Sequence, residues 1–363
     1  MIKNPIIRIF ELIVQGDRLS ILDHNQLKQN LLENRDRLQI PDIDGLSADE
    51  IIDQRSRLLR SVYSEISQSL VIHNIQLDPP SLLLPVLWHY WLPLAQRIAH
   101  QQTQIGHCLI QGLLGGQGTG KTTLGFILNI LLRHLGKTFL SISLDDLYKT
   151  YADRQKLRDR RPHLIWRGPP STHDIDLGIQ VLQQLRDRSS AVQIPRFDKS
   201  LHNGAGDRTE PEISPSADII LFEGWFVGMR PLPISAFDNF VPPILSEGDR
   251  EFAIECNANL HDYSALWAYL DSLIVIMPED YKHSLQWRLE AEHKLIATGK
   301  TGLSDREITR FVEYFWKALH PELFLPRMIG NVIGDRPLVD LVIEISRSHL
   351  PERIYQPQIQ TKI

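Results

Sequence analysis

The chain has 363 residues and a formal net charge of −5 with histidine neutral; 42% of its residues are hydrophobic and 23% are charged. This is the length of one large domain or two ordinary ones, with the composition of a globular protein that buries a core. The absence of a basic excess argues against a nucleic-acid-binding protein, which needs cations to neutralise phosphates.

No targeting or membrane segment is predicted. Residues 1–5 open no signal or transit peptide. The most hydrophobic stretch, residues 82–95, contains two prolines and a histidine and is shorter than the roughly 20 apolar residues that span a bilayer. Cys108 and Cys256 are too few for a disulfide framework and match no zinc motif. We therefore expect a cytoplasmic protein with reduced thiols and no membrane partner.

Residues 1–100 are predicted to form an N-terminal helical extension. Ser47 and Glu50 form a capping box, after which apolar residues recur at helical spacing through Leu70. A second helix is expected over residues 80–102. This region offers no carboxylate pair and no glycine-rich loop, so no chemistry is assigned to it.

From residue 107 onward, apolar strands alternate with helices. The expected strands are 107–114, 137–144, 218–223, 272–277 and 339–345. The expected helices follow the glycine-rich loop to about residue 134, and then cover 172–188, 280–297 and 304 to about 321. This alternation predicts an α/β fold in which a central, mostly parallel sheet is flanked by helices. We expect the domain to cover residues 101–350 and a C-terminal tail to follow at 351–363.

The glycine-rich loop has the form Gly-x-x-x-x-Gly-Lys-Thr and lies between a predicted strand and a predicted helix, as in P-loop nucleotide-binding proteins. Glycines let backbone N–H groups approach phosphates, and the helix N-terminus adds positive potential. Lys121 would lie near the β- and γ-phosphates, and the Thr122 hydroxyl would bind Mg²⁺. We therefore predict that ATP and Mg²⁺ bind here. The predicted nucleotide-binding residues are Gly115, Gly116, Gln117, Gly118, Thr119, Gly120, Lys121, Thr122 and Thr123.

Two places supply the carboxylates that phosphoryl transfer needs. Asp145 and Asp146 directly follow the second strand, and they face the loop if that strand lies beside the first. Glu223 ends the third strand. Ligands bind at the carboxyl ends of parallel strands in open α/β sheets. We expect one of the paired aspartates to act as base and Glu223 to organise the metal with Thr122; direct metal binding by Asp145 stays open.

Residues 146–215 are rich in cations and histidine, within loops punctuated by glycine and proline. This composition favours a small anionic substrate, because a guanidinium grips a carboxylate through two hydrogen bonds. The predicted substrate-binding residues are Asp146, Tyr148, Arg167, His173, Arg196, Lys199 and Arg208.

A lid is expected over about residues 280–305. Arg288, with Lys294 and Lys300 behind it, would reach the phosphates and stabilise charge in the transition state. Residues 297–302 are a possible hinge; they are not a second phosphate loop, because no strand precedes them.

The chain resembles the D-glycerate 3-kinases, a branch of the P-loop kinases related to uridine kinase, phosphoribulokinase and pantothenate kinase. The resemblance covers about residues 85–345. It rests on Ser-Leu-Asp-Asp-Leu-Tyr at 143–148, Arg-Gly-Pro-Pro-Ser-Thr-His-Asp at 167–174, Pro-Arg-Phe-Asp-Lys-Ser at 195–200, Asn-Gly-Ala-Gly-Asp-Arg at 203–208, Leu-Phe-Glu-Gly-Trp at 221–225 and Gln-Trp-Arg-Leu-Glu-Ala-Glu at 286–292. It departs from the usual pattern at Leu147, where phenylalanine is more common.

The resemblance implies transfer of the γ-phosphoryl group of ATP to the 3-hydroxyl of D-glycerate, giving 3-phosphoglycerate, a photorespiratory step. It also implies that Asp145 rather than Asp146 is the base, so the predicted catalytic residues are Asp145, Lys121 and Arg288. The alternatives are a kinase of the same fold that acts on a nucleoside, pantothenate or a sugar acid, and a nucleotide-dependent regulator without turnover. The oligomeric state is left open.

Overall fold

The computed structural model of the chain describes residues 5–33, 38, 40, 46–75, 77–239, 241–299, 302–333 and 336–358. The helices are α1 (Pro5–Gln15), α2 (Ile21–Glu33), α3 (Ala48–Ile72), α4 (Leu83–Val86), α5 (Leu92–Ile105), α6 (Lys121–His134), α7 (Tyr151–Arg160), α8 (Ile175–Arg186), α9 (Glu247–Asn259), α10 (Ser264–Trp267), α11 (His283–Ala297), α12 (Asp305–Ala318) and α13 (Pro321–Ile329). The strands are β1 (Leu109–Gly115), β2 (Phe139–Ser143), β3 (Val192–Ile194), β4 (Phe197–Asp198), β5 (Asp207–Arg208), β6 (Glu212–Ser214), β7 (Ile219–Gly224), β8 (Ser272–Pro278), β9 (Val332–Ile333), β10 (Arg336–Pro337), β11 (Leu341–Ile345) and β12 (Pro351–Tyr355).

The described strands include a central sheet in the order β12-β11-β8-β1-β7-β2. All neighbours in it are parallel except β11 and β12. The predicted mostly parallel sheet is therefore confirmed. Asp145 and Asp146 were expected to face the loop if β2 lay beside β1. The two strands are not neighbours, because β7 pairs with both of them and separates them.

Both faces of the sheet are buried, as its continuous apolar strands require. Every residue of β1 is buried. Leu109 and Leu113 point to one face and share a buried cluster with Phe10 of α1. Ile110 and Leu114 point to the other face, in a second cluster. The alternation of side chains along β1 thus places the phosphate loop between two packed layers.

The N-terminal helices pack on the first of these faces. The predicted capping box is present, since Ser47 and Glu50 each bond the other's backbone N–H at the start of α3. Glu65 of α3 pairs with Arg133 and His134 at the end of α6, the helix that follows the phosphate loop. The second predicted helix is not regular, because a π-helical turn at Leu87–Trp91 separates α4 from α5.

The predicted tail at 351–363 is wrong for its first five residues. Residues 351–355 form β12, which pairs with β11, and Ile354 lies opposite Ile343. The Ile354 side chain is fully buried in the N-terminal cluster. A short strand is hard to distinguish from a tail by sequence, because its partner is needed to satisfy its backbone groups.

Other predicted boundaries move by a few residues. The helix predicted from 304 to about 321 is α12, which ends at Ala318, and a further helix, α13, begins at Pro321. Proline lacks an N–H and is suited to the first turn of a helix, so it starts the second one. No helix in the described part of the chain is long and apolar enough to cross a membrane.

The position of β12 predicts the effect of a single truncation. Ile354→Ala should lower the free energy of unfolding by about 2–5 kcal/mol, because it leaves a cavity in a packed core. Denaturant unfolding measures this change. Gln356→Ala, at an exposed position just after the strand, is the control and should change stability little. A neutral Ile354→Ala variant would contradict the assignment of this segment to the sheet.

Candidate active site

The phosphate loop connects the end of β1 to the start of α6. Gly118 and Gly120 have φ values of +78° and +83°, which favour glycine. A Cβ atom at Gly115 would lie 2.6 Å from the Thr119 hydroxyl oxygen, so this position also requires glycine. The Thr119 hydroxyl donates a hydrogen bond of 2.9 Å to the carbonyl of Gly116. These constraints shape a loop whose backbone N–H groups can bind phosphate oxygens at a helix N-terminus.

Lys121, Thr122 and Thr123 form the first turn of α6, as the motif predicts. The Lys121 ammonium donates to the carbonyl of Gly116 at 3.0 Å. Burial lowers its pKa below the ordinary value, whereas Glu223 and Asp145 oppose this change. The structure therefore brings both predicted carboxylates into the field of the loop lysine.

Glu223 lies on β7, next to β1, and is half-buried. Burial raises the pKa of its carboxyl group above the ordinary value, and the Lys121 ammonium acts in the opposite direction. Glu223 and the exposed Thr122 hydroxyl are hard oxygen donors. They fit Mg²⁺, which is usually held by one or two carboxylates together with substrate phosphates.

Asp145 begins the turn that follows β2. Its carboxylate forms an ion pair of 2.6 Å with the Lys199 ammonium and accepts a hydrogen bond from the Tyr148 hydroxyl. Burial acts to raise the pKa of Asp145, but Lys199 and Tyr148 outweigh it, so this pKa lies below the ordinary value. Asp145 is thus ionised at neutral pH and able to accept a proton.

Asp146 is held differently from Asp145. Its carboxylate accepts from the backbone N–H of Ser143 at 3.0 Å and from Arg196 at 3.0 Å. Arg196 also pairs with Glu212 at 2.8 Å. Asp146 and Arg196 therefore engage each other, and burial raises the pKa of Asp146. This arrangement fixes the turn that presents Asp145.

Tyr148 and His173 form a stacked pair behind Asp145, with ring centroids 4.6 Å apart. The expectation that His173 contacts the substrate is not met in this structure, since its side chain is fully buried. Burial lowers the pKa of His173 to about 3, so the ring is neutral, and Nδ1 lies 2.7 Å from the Tyr263 hydroxyl. His173 therefore supports the Tyr148 ring from within the core.

Most of the predicted substrate-loop cations hold protein groups. Arg208 donates to the Tyr148 carbonyl at 2.8 Å and to Asp174 at 2.9 Å. Arg154 donates to three backbone carbonyls, two of them in the turn between β4 and β5. Arg167 donates to the carbonyl of Gly204 in the same turn at 2.7 Å. Its guanidinium also lies 6.0 Å from the centre of the Tyr148 ring.

Arg288, the predicted lid residue, forms its ion pair within α11. Arg288 pairs with Glu292 along α11 at 2.9 Å, and Glu292 also accepts from the backbone N–H of Leu303. Lys294 lies further along the same helix, at an exposed position. Lys300 lies outside the described residues. A contact between Arg288 and phosphates would require Arg288 to leave Glu292.

Two residues near the loop were given no role from the sequence. Trp287 packs on Gly118, and His349 stacks on Trp287 at a centroid distance of 4.3 Å. Trp287 lies in a block that carries the family resemblance, but nothing in the sequence shows which face of α11 meets the loop. His349 is 62 residues further along the chain, so only the fold brings the two together.

A parallel sheet with the phosphate loop after its central strand, and carboxylates at the ends of the next two strands, defines a P-loop kinase. No family model matches the sequence. The chain is 32% identical to the chloroplastic D-glycerate 3-kinase of Arabidopsis thaliana in an alignment of 282 positions that covers 70% of this chain and 60% of that protein. It is 32% identical to an uncharacterized kinase of Schizosaccharomyces pombe over 58% of this chain and 79% of that protein.

A solved structure agrees with these similarities. The D-glycerate 3-kinase from Cryptococcus neoformans matches with a TM-score of 0.65 and 28% identity, covering 73% of this chain and 98% of that one. These relatives show that the chain belongs to a family of P-loop kinases, and the resemblance to D-glycerate 3-kinases seen in the sequence is confirmed. The match spans 60% of the Arabidopsis relative.

The ion pair at Asp145 predicts a change in pH dependence. Lys199→Met removes the cation that lowers the pKa of Asp145, while the burial that raises it remains. A base loses activity as the pH falls through its pKa, so the acid limb of kcat/KM should move to higher pH. Acceptor-dependent ADP release across a pH series measures this shift. Lys199→Arg keeps the charge and should keep the native limb; an unchanged limb in Lys199→Met would contradict the assignment.

Proposed function

We propose that this kinase transfers the γ-phosphoryl group of ATP to the 3-hydroxyl of D-glycerate. The observation that carries the proposal is the ionised Asp145 within the field of Lys121, at the edge of the sheet where the phosphate loop lies. Similarity to proteins named D-glycerate 3-kinases supports the choice of acceptor.

The ATP phosphates would bind the N–H groups of residues 115–123, with the Lys121 ammonium against the β- and γ-phosphates. Thr122 and Glu223 would hold Mg²⁺, which neutralises phosphate charge when bound. Phosphoryl transfer asks little covalent chemistry of the protein, so positioning and charge carry the catalysis.

Asp145 would accept the proton of the attacking hydroxyl. The Tyr148 hydroxyl bonds the Asp145 carboxylate and would fix its direction. His173, neutral and buried, would keep the Tyr148 ring in place from behind. In this proposal Asp145 contacts the substrate, whereas Tyr148 and His173 hold Asp145 in position.

Arg167 and Lys199 would hold the glycerate carboxylate. Arg167 lies beside the ring whose hydroxyl bonds Asp145, and Lys199 pairs with Asp145 itself. A carboxylate could therefore replace Asp145 as the partner of Lys199 when the acceptor enters. Arg196, Arg208 and Asp146 would shape the pocket through their ion pairs, in keeping with the contacts they make.

The predictions for the lid and for the cellular role concern features other than the contacts described above. We propose that the lid at about residues 280–305 closes on ATP and that Arg288 then exchanges Glu292 for phosphate. The division into an N-terminal extension to residue 100 and a kinase domain at 101–350, the photorespiratory role and the cytoplasmic location stay predictions.

The acceptor is tested by ADP release from ATP and Mg²⁺ with single acceptors. Glycerate should stimulate release strongly, whereas glycerol, which lacks the carboxylate, should not, because Arg167 and Lys199 would have no anion to bind. Uridine and pantothenate test the alternative kinases. Stimulation by one of these and not by glycerate would replace the proposed acceptor. Nucleotide binding with no stimulation by any acceptor would favour a regulator.

The base is tested by Asp145→Asn, which keeps size and polarity but cannot accept the proton. Turnover should fall about a hundredfold to ten-thousandfold, the usual contribution of a general base, while ATP affinity is largely kept. Steady-state kinetics and calorimetric ATP titration measure the two quantities. Asp153→Asn, on the exposed start of α7, is the control and should keep activity. Near-normal turnover of Asp145→Asn would remove this residue from the base role.

A further inference from the structure

The backbone of the phosphate loop is in direct contact with α11. A Cβ atom added at Gly118 would lie 3.0 Å from two atoms of the Trp287 side chain, Cβ and Cε3. Trp287 is only 5% exposed and belongs to the core cluster that includes β1 and α6. The indole therefore packs on the main chain of Gly118, in the middle of the loop.

The Trp287 indole is itself held by the turn between β11 and β12. Its Nε1 atom donates a hydrogen bond of 2.7 Å to the carbonyl of Arg347. The His349 ring stacks on it with an interplanar angle of 27°. The backbone of Gly118 acts to raise the pKa of the His349 imidazole, which places the ring next to the loop. Two elements that are distant in sequence thus meet at one residue of the loop.

The backbone of His349 has a conformation that few residues other than glycine adopt. Its φ is +63°, in the left-handed region, and its N–H bonds the carbonyl of Ser346 at 3.0 Å. Glycine or asparagine usually fills such a position in a hairpin turn, because other residues lose roughly 1–2 kcal/mol there. A histidine in this conformation indicates that its ring has a role at this position. The ring contacts Trp287 and Gly118.

We propose that Trp287 and His349 are positioning residues that hold the Gly118 backbone in its phosphate-binding conformation. We call this pair the Gly118 clamp. The loop binds phosphate through N–H groups whose directions depend on left-handed residues, and Gly118 is one of them. A peptide free to rotate at Gly118 would turn a donor away from the phosphates, so the clamp preorganises the loop. The proposal rests on nucleotide binding by the loop and not on the identity of the acceptor.

The alternative role for these rings is stacking on the base of the nucleotide. Trp287 is covered by Gly118 on one side and by His349, so a base could reach only the outer face of His349, which is exposed. The two roles differ in what they affect. A clamp changes the affinity for phosphates themselves, whereas a stacking surface changes the affinity for the base alone.

The experiment compares ATP with inorganic tripolyphosphate, which has the phosphates and no base. His349→Asn tolerates the left-handed conformation and keeps an N–H donor, but it removes the ring that stacks on Trp287. Trp287→Phe keeps an aromatic ring and removes the hydrogen bond to Arg347. Calorimetric titration gives the dissociation constant of each ligand for each variant.

We expect both variants to weaken ATP and tripolyphosphate equally, by about fivefold to tenfold, the size of one lost supporting interaction. KM for ATP should rise by a similar factor, with kcat changed less. Trp316→Phe, a half-buried tryptophan on α12, is the matched control and should leave both affinities unchanged. Weaker ATP binding with unchanged tripolyphosphate binding would overturn the clamp in favour of base stacking. Unchanged binding of both ligands would also overturn it.

Folding does not obscure the result. His349 is exposed, so His349→Asn should keep the thermal unfolding midpoint of the native protein. If Trp287→Phe is unstable, the binding constants of His349→Asn alone distinguish the clamp from base stacking. A failure of glycerate to act as acceptor would leave these binding constants unaffected, so the clamp and the proposed acceptor are tested separately.

Discussion

The ammonium of Lys121 is partly removed from water and requires negative charge nearby. Removing an ion from water costs several kcal/mol unless opposite charges compensate. Here Glu223 and Asp145 provide them, and each of the two acids carries its own burial cost. When ATP is absent, Lys121 stabilises both carboxylates, although Asp145 and Glu223 repel each other. When ATP binds, its phosphates can replace the carboxylates as partners of the lysine. The site therefore holds a cation and its compensating carboxylates before an anionic ligand binds.

The strand order gives the two carboxylates different tasks. Because β7 lies between β1 and β2, Glu223 is one strand from the loop and Asp145 is two strands away. The nearer acid is suited to a metal held against the phosphates, and the farther acid to the acceptor hydroxyl. The separation of the two proposed tasks, metal binding and proton transfer, thus follows from the strand order.

The sequence predicted the loop well because its chemistry is local. A glycine-rich turn, a lysine and a threonine act within one strand-to-helix connection, so Gly115 to Thr123 could be assigned from their spacing. The substrate side was predicted less well. Arg154 and Arg208 lie in the cation-rich stretch at 146–215, yet they bind carbonyls and a carboxylate of the protein. Left-handed turns expose carbonyls that need donors, and a sequence does not show which cation supplies them.

By itself, the sequence predicted a P-loop kinase that resembles the D-glycerate 3-kinases, with acids at the ends of its second and third core strands. Both the motif and the strand pattern depend on residues close in the chain. The tertiary structure decided that His173 is buried behind Tyr148, that residues 351–355 complete the sheet, and that Trp287 and His349 meet at Gly118. These relations join segments far apart in sequence. The packing of apolar faces and the pairing of buried polar groups fix them, and both depend on the whole fold.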